Sequence, residues 1–146
     1  EHRLEFVREL HGVEYYNNSK ATNTQATATA LRAFEKPVVL IAGGLNRNLD
    51  FHDLLPLMKK KVKAVVTLGE TRDIFAELAR EAGISAVKVV DNGNSASEAL
   101  DEAVRAANAF AVSGDVVLLS PACASWDMFE SYEVRGRMFK QSVHKL

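Results

Sequence analysis

Residues 115–129 read Asp-Val-Val-Leu-Leu-Ser-Pro-Ala-Cys-Ala-Ser-Trp-Asp-Met-Phe, and this segment decides the fold. The apolar run at 116–119 predicts a strand that is covered on both faces, as in a parallel sheet. Pro121 ends the strand, and we expect Ser125 to cap a helix that begins at Trp126. A strand, a tight loop and a helix N-terminus together offer backbone N–H groups to an anion. Because ligands of open parallel sheets bind at the carboxyl ends of the strands, we expect a ligand here.

Strand and helix patterns alternate along the rest of the chain. A hairpin around His11-Gly12 comes first, and amphipathic helices separate the strands that follow it. This alternation predicts an α/β fold, a Rossmann-like three-layer domain with a mostly parallel sheet, helices on both faces and an N-terminal β-hairpin. The predicted strands occupy residues 4–10, 13–16, 37–42, 62–68, 87–90 and 116–119.

Capping residues mark the predicted helix starts. Asn23 or Thr24, then Asp50, then Ser95 each precede a run with helical spacing of apolar residues. Two helices are defined by the face that we expect them to bury. The predicted helix that follows Gly69-Glu70-Thr71 places Ile74, Phe75, Leu78 and Ala82 on one face. The last predicted helix has apolar or small residues at steps of three and four: Phe129, Tyr132, Gly136, Phe139 and Val143.

The composition is that of one ordinary globular domain. The chain has 146 residues, of which 47% are hydrophobic and 25% charged, and its formal charge is −1. This balance offers no broad basic field, so we expect neither nucleic acid nor membrane as a partner. A single cysteine and the lack of a long apolar run indicate a cytoplasmic location. Because the chain begins at Glu1 rather than methionine, we expect a piece of a longer protein.

The parallel sheet should bring several loops to one edge. The loops at 43–48, 69–71, 92–94 and 120–125 follow successive predicted strands. Lys20 lies between hydroxyl residues in a loop that leads into a helix, a combination that suits a phosphate or a carboxylate. Arg47 lies beyond Gly43-Gly44, where a guanidinium could bind a carboxylate with two hydrogen bonds. For both cations the alternative is an ordinary solvated side chain.

Other reactive residues favour structural roles. Cys123 could be a nucleophile, but no histidine is obviously placed to activate it, so a small buried thiol is the preferred interpretation. Gly43-Gly44 matches no phosphate-binding motif and indicates a turn. We predict no metal site in this domain because the histidines lack metal-ligand spacing; they are His2, His11, His52 and His144.

Four segments together resemble the C-terminal domain of the Mur ligases, and especially the members that add D-glutamate. They are His2-Arg3-Leu4-Glu5, residues 17–23, Gly43-Gly44 with Arg47, and residues 118–129 followed by Glu133-Val134-Arg135-Gly136. The resemblance covers essentially the whole chain. It implies an ATP-dependent amide ligase of peptidoglycan biosynthesis that adds D-glutamate to UDP-N-acetylmuramoyl-L-alanine through an acyl phosphate. It also implies that residues 1–146 form the amino-acid-binding lid, with the N-terminal UDP-binding domain and the central ATPase domain absent from this sequence.

The resemblance also assigns roles to residues. Arg3, Asn18 and Lys20 match positions that contact the nucleotide, and Lys20 is also the catalytic candidate at the phosphate end. The positions that match contacts to D-glutamate are Thr22, Arg47, Ser125 and Tyr132. ATP is the implied cofactor, with Mg²⁺ bound mainly by the central domain, and the ligase's own other domains are implied partners. The isolated domain is expected to be inactive.

Two other functions are compatible with the sequence. One is a stand-alone Rossmann-like module that binds a nucleotide or a protein without catalysis. The other is a thiol enzyme using Cys123, which predicts rapid alkylation of that residue at neutral pH.

Overall fold

The computed structural model describes residues 1–45, 50–91, 95–125 and 128–146. Two strands at the N-terminus are followed by alternating helices and strands. The strands are β1 (Glu5–Leu10), β2 (Val13–Asn17), β3 (Val38–Ala42), β4 (Val62–Thr67), β5 (Ala86–Val89) and β6 (Val116–Leu119). The helices are α1 (Thr24–Arg32), α2 (Leu55–Lys61), α3 (Arg72–Glu81), α4 (Ala96–Phe110) and α5 (Tyr132–His144), and a short 3-10 turn (His52–Leu54) precedes α2.

The sheet has the strand order β1-β2-β6-β3-β4-β5. Only β1 runs antiparallel to its neighbour, through a hairpin in which Leu10 pairs with Val13. All other neighbouring pairs are parallel, and the central strand β6 lies between β2 and β3. The mostly parallel sheet and the N-terminal hairpin were both predicted from the sequence, and both are confirmed.

Strand residues alternate between two hydrophobic cores. In β3, for example, Val39 and Ile41 face α4 and α5, whereas Val38, Leu40 and Ala42 face α1, α2 and α3. Every residue of β3 and β6 is buried, because helices cover the sheet on both sides. The three-layer architecture is therefore confirmed, and it leaves only the strand ends and their loops to form a site.

Two helix starts agree with the capping signals. Asn23 caps α1 by accepting a hydrogen bond from the N–H of Ala26 at 2.9 Å, and Ser95 caps α4 in the same way. Asp50 accepts a hydrogen bond from the backbone N–H of His52 at 2.9 Å, but the 3-10 turn and α2 have Phe51 and Leu54 at their starts and no side-chain cap. Local polar groups therefore set the starts of α1 and α4.

Two sequence predictions about helices are wrong. The helix expected to begin at Trp126 begins at Tyr132 instead, and its cap is Ser131 rather than Ser125. The carbonyl of Ser125 accepts a hydrogen bond from the N–H of Phe129 at 2.7 Å, and residues 128–131 are not helical. In α3, Ile74 was assigned to the buried face but is 46% exposed, because the sheet covers the face that carries Phe75, Ala76, Leu78 and Ala79.

Within the residues described, no helix is long and apolar enough to cross a membrane.

Candidate functional site

The loops that follow β3 and β6 meet at the carboxyl edge of the sheet. The N–H of Gly43 donates to the carbonyl of Pro121 at 3.0 Å, and the N–H of Leu45 donates to the carbonyl of Ala124 at 2.9 Å. Leu45 and Ala124 also form an isolated antiparallel bridge. These contacts confirm that the two loops share one edge, as predicted from the sequence. The predicted loop at 92–94 lies outside the described residues.

Gly44 allows the loop after β4 to join this edge. Its N–H donates to the hydroxyl of Thr71 at 3.0 Å, and its carbonyl accepts from the N–H of Thr71 at 3.1 Å. A Cβ atom at Gly44 would lie 2.5 Å from the carbonyl oxygen of Ala124, which is far too close. Gly44 also has φ of +153°, which favours glycine. Gly43-Gly44 therefore serves close backbone packing, in agreement with its interpretation as a turn.

The buried Arg135 of α5 joins the loop after β2 to the loop after β6. Its Nε donates to Oγ of Ser19 at 2.9 Å, and its Nη2 donates to the carbonyl of Ser19 at 2.7 Å. Its Nη1 donates to the carbonyl of Cys123 at 3.1 Å. The sequence reasoning gave Arg135 no role. The sequence signal for a close contact at this place was the adjacent Gly136, because a glycine inside a helix allows a neighbouring segment to pack closely against it.

Arg3, Asn18 and Lys20 line one pocket of about 240 Å³ between the N-terminal segment and α1. Lys20 and Arg3 are exposed, whereas Asn18 is buried. The rest of the lining is small or apolar and comprises Leu4, Ala21, Ala26, Thr29 and Ala30. The structure therefore brings the three residues expected to contact a nucleotide to a single concave surface with two cations.

Asn18 forms part of the wall of this pocket. Its Oδ1 accepts from the N–H of Leu4 at 3.0 Å, and its Nδ2 donates to Oγ of Ser120 at 3.1 Å. Its amide links the N-terminal segment to Ser120, which directly follows β6, and this contact fixes the shape of the pocket. Contact between Asn18 and a nucleotide stays a prediction.

The segment that carries Arg3 is anchored on both sides. His2 is buried, and its ring Nδ1 lies 2.9 Å from Nδ2 of Asn17. The backbone N–H of His2 donates to Oε1 of Glu5 at 3.2 Å. A Cβ at Gly136 would lie 2.2 Å from Nδ1 of His2, so glycine is required for this packing. Burial lowers the pKa of His2, which favours the neutral ring. Arg3 is thereby held at the mouth of the pocket.

The residues expected to bind the amino acid lie around the same edge. Thr22 is half-buried just before the cap of α1, and Ser125 is buried in the loop after β6. Tyr132 is half-buried at the first position of α5, where its carbonyl accepts from Oγ of Ser19 at 2.6 Å. Arg47 lies outside the described residues. Two links join the residues expected to bind the amino acid to the pocket. Ser19, which precedes Lys20, contacts Tyr132. Arg135 joins Ser19 to Cys123, which lies two residues before Ser125.

Cys123 is fully buried and forms no disulfide. Its Sγ lies 3.5 Å from Oγ1 of Thr71, within the packed contacts of the edge. The interpretation as a small buried thiol is confirmed, and this burial removes the access that a thiol nucleophile needs. In the described ranges, no group of three His, Cys, Asp or Glu side chains is arranged to hold a metal ion.

The chain matches the family model for the Mur ligase, glutamate ligase domain over residues 2–123. A UDP-N-acetylmuramoylalanine--D-glutamate ligase of Bacillus subtilis (strain 168) is 52% identical over 145 residues. That alignment covers 99% of this chain and 30% of the relative. The ligase with the same name from Lactobacillus delbrueckii subsp. bulgaricus is 51% identical over 146 residues, which are 100% of this chain and 30% of the relative. The chain thus spans about 30% of the length of these relatives.

Solved structures share the fold at low sequence identity. A Mycobacterium tuberculosis folylpolyglutamate synthase complexed with ADP and AMPPCP has a TM-score of 0.62 and 17% identity. The alignment covers 94% of this chain and 32% of that protein. MurF from Acinetobacter baumannii has a TM-score of 0.57 and 15% identity, with 99% of this chain and 30% of that protein covered. These similarities support the α/β fold with its mostly parallel sheet.

Proposed function

Because the chain belongs to the Mur ligase family, as its glutamate ligase domain, we propose that it is the amino-acid-binding lid of a longer ATP-dependent ligase. In this proposal the whole enzyme adds D-glutamate to UDP-N-acetylmuramoyl-L-alanine in peptidoglycan biosynthesis. The observation that carries it is the identity of about half of all positions, over the full chain, with ligases named for this reaction. The chain itself supplies part of the site, and further domains supply the rest.

We propose that the pocket at Arg3, Asn18 and Lys20 receives part of ATP. Two exposed cations beside a concave surface suit the phosphate groups, and a hydrogen bond from Leu4 to Asn18 joins two parts of the wall. When bound, ATP supplies the phosphoryl group that activates the acceptor carboxylate. Lys20 balances negative charge near the reacting phosphate, and Arg3 orients the nucleotide. In this proposal Mg²⁺ is bound mainly by the central domain of the ligase, as the family resemblance implies.

We propose that D-glutamate binds at the carboxyl edge of the sheet. The amino acid has two carboxylates, which require a cation and several hydrogen-bond donors. Arg47 would supply the cation, Thr22 and Ser125 the hydroxyl groups, and Tyr132 a wall. The contact between Leu45 and Ala124 supports this arrangement, because it joins the segment that leads to Arg47 to the segment that ends at Ser125.

Steady-state kinetics of the full-length ligase test the nucleotide half of the proposal. Lys20→Met should lower kcat/KM for ATP by at least about tenfold, since a cation is removed from the phosphate end. Lys36→Met is the matched control, because Lys36 is an exposed lysine that precedes β3 at the opposite edge of the sheet. Equal effects of the two substitutions would remove Lys20 from the site.

The amino-acid half has a separate test in the same enzyme. Arg47→Ala should raise KM for D-glutamate by at least about tenfold and leave KM for ATP within about twofold. An unchanged KM for D-glutamate would exclude Arg47 from the site. The 146-residue chain alone should neither hydrolyse ATP nor form the amide. Turnover by this chain would contradict its assignment as a lid.

A further inference from the structure

An apolar groove lies between residues 50–52 and the outer face of α3, and we name it the α3 groove. Its volume is about 450 Å³. Phe51 and Leu78 line it and are almost fully buried, whereas Ile74 is 46% exposed. Ile74 is one of three large hydrophobic side chains that stand out as exposed in the described part of the chain, with Phe6 and Val112. The packing of the domain therefore leaves an apolar strip in which Ile74 supplies nearly all of the exposed surface.

Carboxylates border the strip along its whole length. Asp73, Glu77 and Glu81 line the groove at four-residue spacing, so they form one acidic row along α3 beside Ile74 and Leu78. The row spans about 12 Å, or about two helical turns. Because the formal charge of the whole chain is only −1, the row is a local concentration of negative charge.

Two basic side chains near this row, Arg80 and His52, form exposed ion pairs in the described part of the chain. Arg80 lies 3.4 Å from Glu77, and both side chains are more than half exposed. His52 lies 3.0 Å from Asp50 and 3.3 Å from Glu81. Ion pairs exposed to this degree are weak, so a partner's lysine or arginine can replace them.

We propose that the α3 groove binds a basic amphipathic helix of a separate protein. Such a helix would place apolar side chains against Ile74, and lysine or arginine residues against the acidic row. The four-residue spacing of the row matches the spacing of side chains on one face of a helix. This inference does not depend on the proposed ligase function.

Two other occupants fit less well. A second copy of the chain in a two-fold arrangement would set one acidic row against another, which is unfavourable. A preceding segment of the same polypeptide enters at Glu1, which Lys140 of α5 holds at 2.7 Å near β1. The groove belongs to α3, which packs on β4 and β5 at the other end of the sheet.

The probe for a test is a fluorescein-labelled synthetic helical peptide of about 15 residues, with leucines and lysines each repeated at helical spacing. Its scrambled sequence is the control peptide. We expect saturable binding of the probe, and binding at least about tenfold weaker for the scrambled peptide. Absence of saturable binding, or equal binding of the two peptides, would overturn the proposal.

Matched double variants localise the binding. Ile74→Glu with Glu77→Lys should weaken binding of the probe at least about tenfold. Val112→Glu with Glu9→Lys makes the same changes at exposed positions elsewhere and should leave binding within about twofold. Equal losses in the two variants would show binding by overall charge alone and would refute the groove. Thermal unfolding of each variant checks that the fold is retained.

Two further measurements separate the possible occupants. Sedimentation of the unmodified chain should show a monomer, and a dimer that Ile74→Glu dissociates would assign the groove to a second copy. The probe should also bind the intact natural polypeptide. Loss of binding there would show that another part of the same polypeptide covers the groove, and it would overturn the assignment to a separate partner.

Discussion

Replacing Arg135 by methionine tests how the two loops at the carboxyl edge are held together. To the residues that the structure describes, the guanidinium donates two hydrogen bonds to Ser19 and one to the carbonyl of Cys123. Methionine keeps much of the side-chain volume but none of the donors. The substitution therefore leaves the carbonyls of two fully buried residues, Ser19 and Cys123, without these partners.

The expected loss of stability follows from these contacts. A hydrogen bond to a charged group contributes about 1.5 to 3 kcal/mol, and three independent bonds would give roughly 4.5 to 9 kcal/mol. The sum overestimates the effect, because removing a buried cation also removes its desolvation cost. Leaving a buried hydrogen-bonding group without a partner costs about 1 to 3 kcal/mol, so the two carbonyls would cost about 2 to 6 kcal/mol. We therefore expect Arg135→Met to lower the free energy of unfolding by about 3 to 4 kcal/mol.

Urea unfolding followed by far-UV circular dichroism measures this loss. The urea midpoint should fall, and the slope of the free energy with urea concentration should stay constant. Arg135→Lys should lose about half as much, because an ammonium group can reach one carbonyl but lacks the planar fork. Arg137→Met is the control on the same helix, since Arg137 is exposed, and it should change stability by less than about 0.5 kcal/mol.

Two results would refute the reasoning. A loss below about 1 kcal/mol for Arg135→Met would mean that the loops keep their positions without the guanidinium. Equal losses for Arg135→Met and Arg137→Met would mean that helix propensity or net charge, rather than the buried contacts, explains the effect.

Three further predictions concern single residues. Gly43→Ala should lower the free energy of unfolding by about 2 to 5 kcal/mol in the same urea assay, because φ is +119° and a Cβ would lie 2.0 Å from the carbonyl oxygen of Leu68; a loss under about 1 kcal/mol would contradict this packing. Asn23→Ala should cost about 1 kcal/mol by removing the cap of α1, whereas Asn23→Asp should not. The hydrogen bond from Ser142 lowers the pKa of Asp101 in the folded chain. The ionised carboxylate of Asp101 therefore adds to the free energy of unfolding above the unfolded pKa, and this addition is lost as pH falls through the lower folded pKa. The stability difference between the unsubstituted chain and Asp101→Asn should therefore be constant from about pH 7 to 5 and shrink below about pH 4, and a pH-independent difference would exclude the charge of Asp101 as its cause.

The fold was largely predictable because its signals are local. Apolar runs such as residues 38–42 mark strands that are covered on both faces, and side chains such as Asn23 and Ser95 mark helix starts. A parallel sheet brings the loops after its strands to one edge. The contact between the loops after β3 and β6 could therefore be predicted from the alternation of strands and helices. The candidate residues Arg3, Asn18 and Lys20 came from family resemblance, and their roles remain proposals.

The start of α5 was not predictable from the residues near it. Ser125, followed by a small helical pattern, resembles a cap as closely as Ser131 does, and each is a serine ahead of apolar residues. The choice depends on where the helix must lie for Arg135 to reach Ser19 and Cys123. The prediction that Ile74 is buried was wrong for a similar reason. The orientation of α3 about its axis is set by packing of its largest side chain, Phe75, against the sheet, and this orientation leaves Ile74 exposed.

The sequence by itself therefore determined the order of strands and helices along the chain, and with it the edge of the sheet at which the loops after β3 and β6 meet. These properties depend on contacts between residues that are close in the chain. The tertiary structure alone decided that Arg135 joins two loops, that Asn18 forms a wall of a pocket, and that the α3 groove stays uncovered. Each of these depends on residues far apart in the chain, and burial, charge and hydrogen bonding act on them only after the sheet has brought them together.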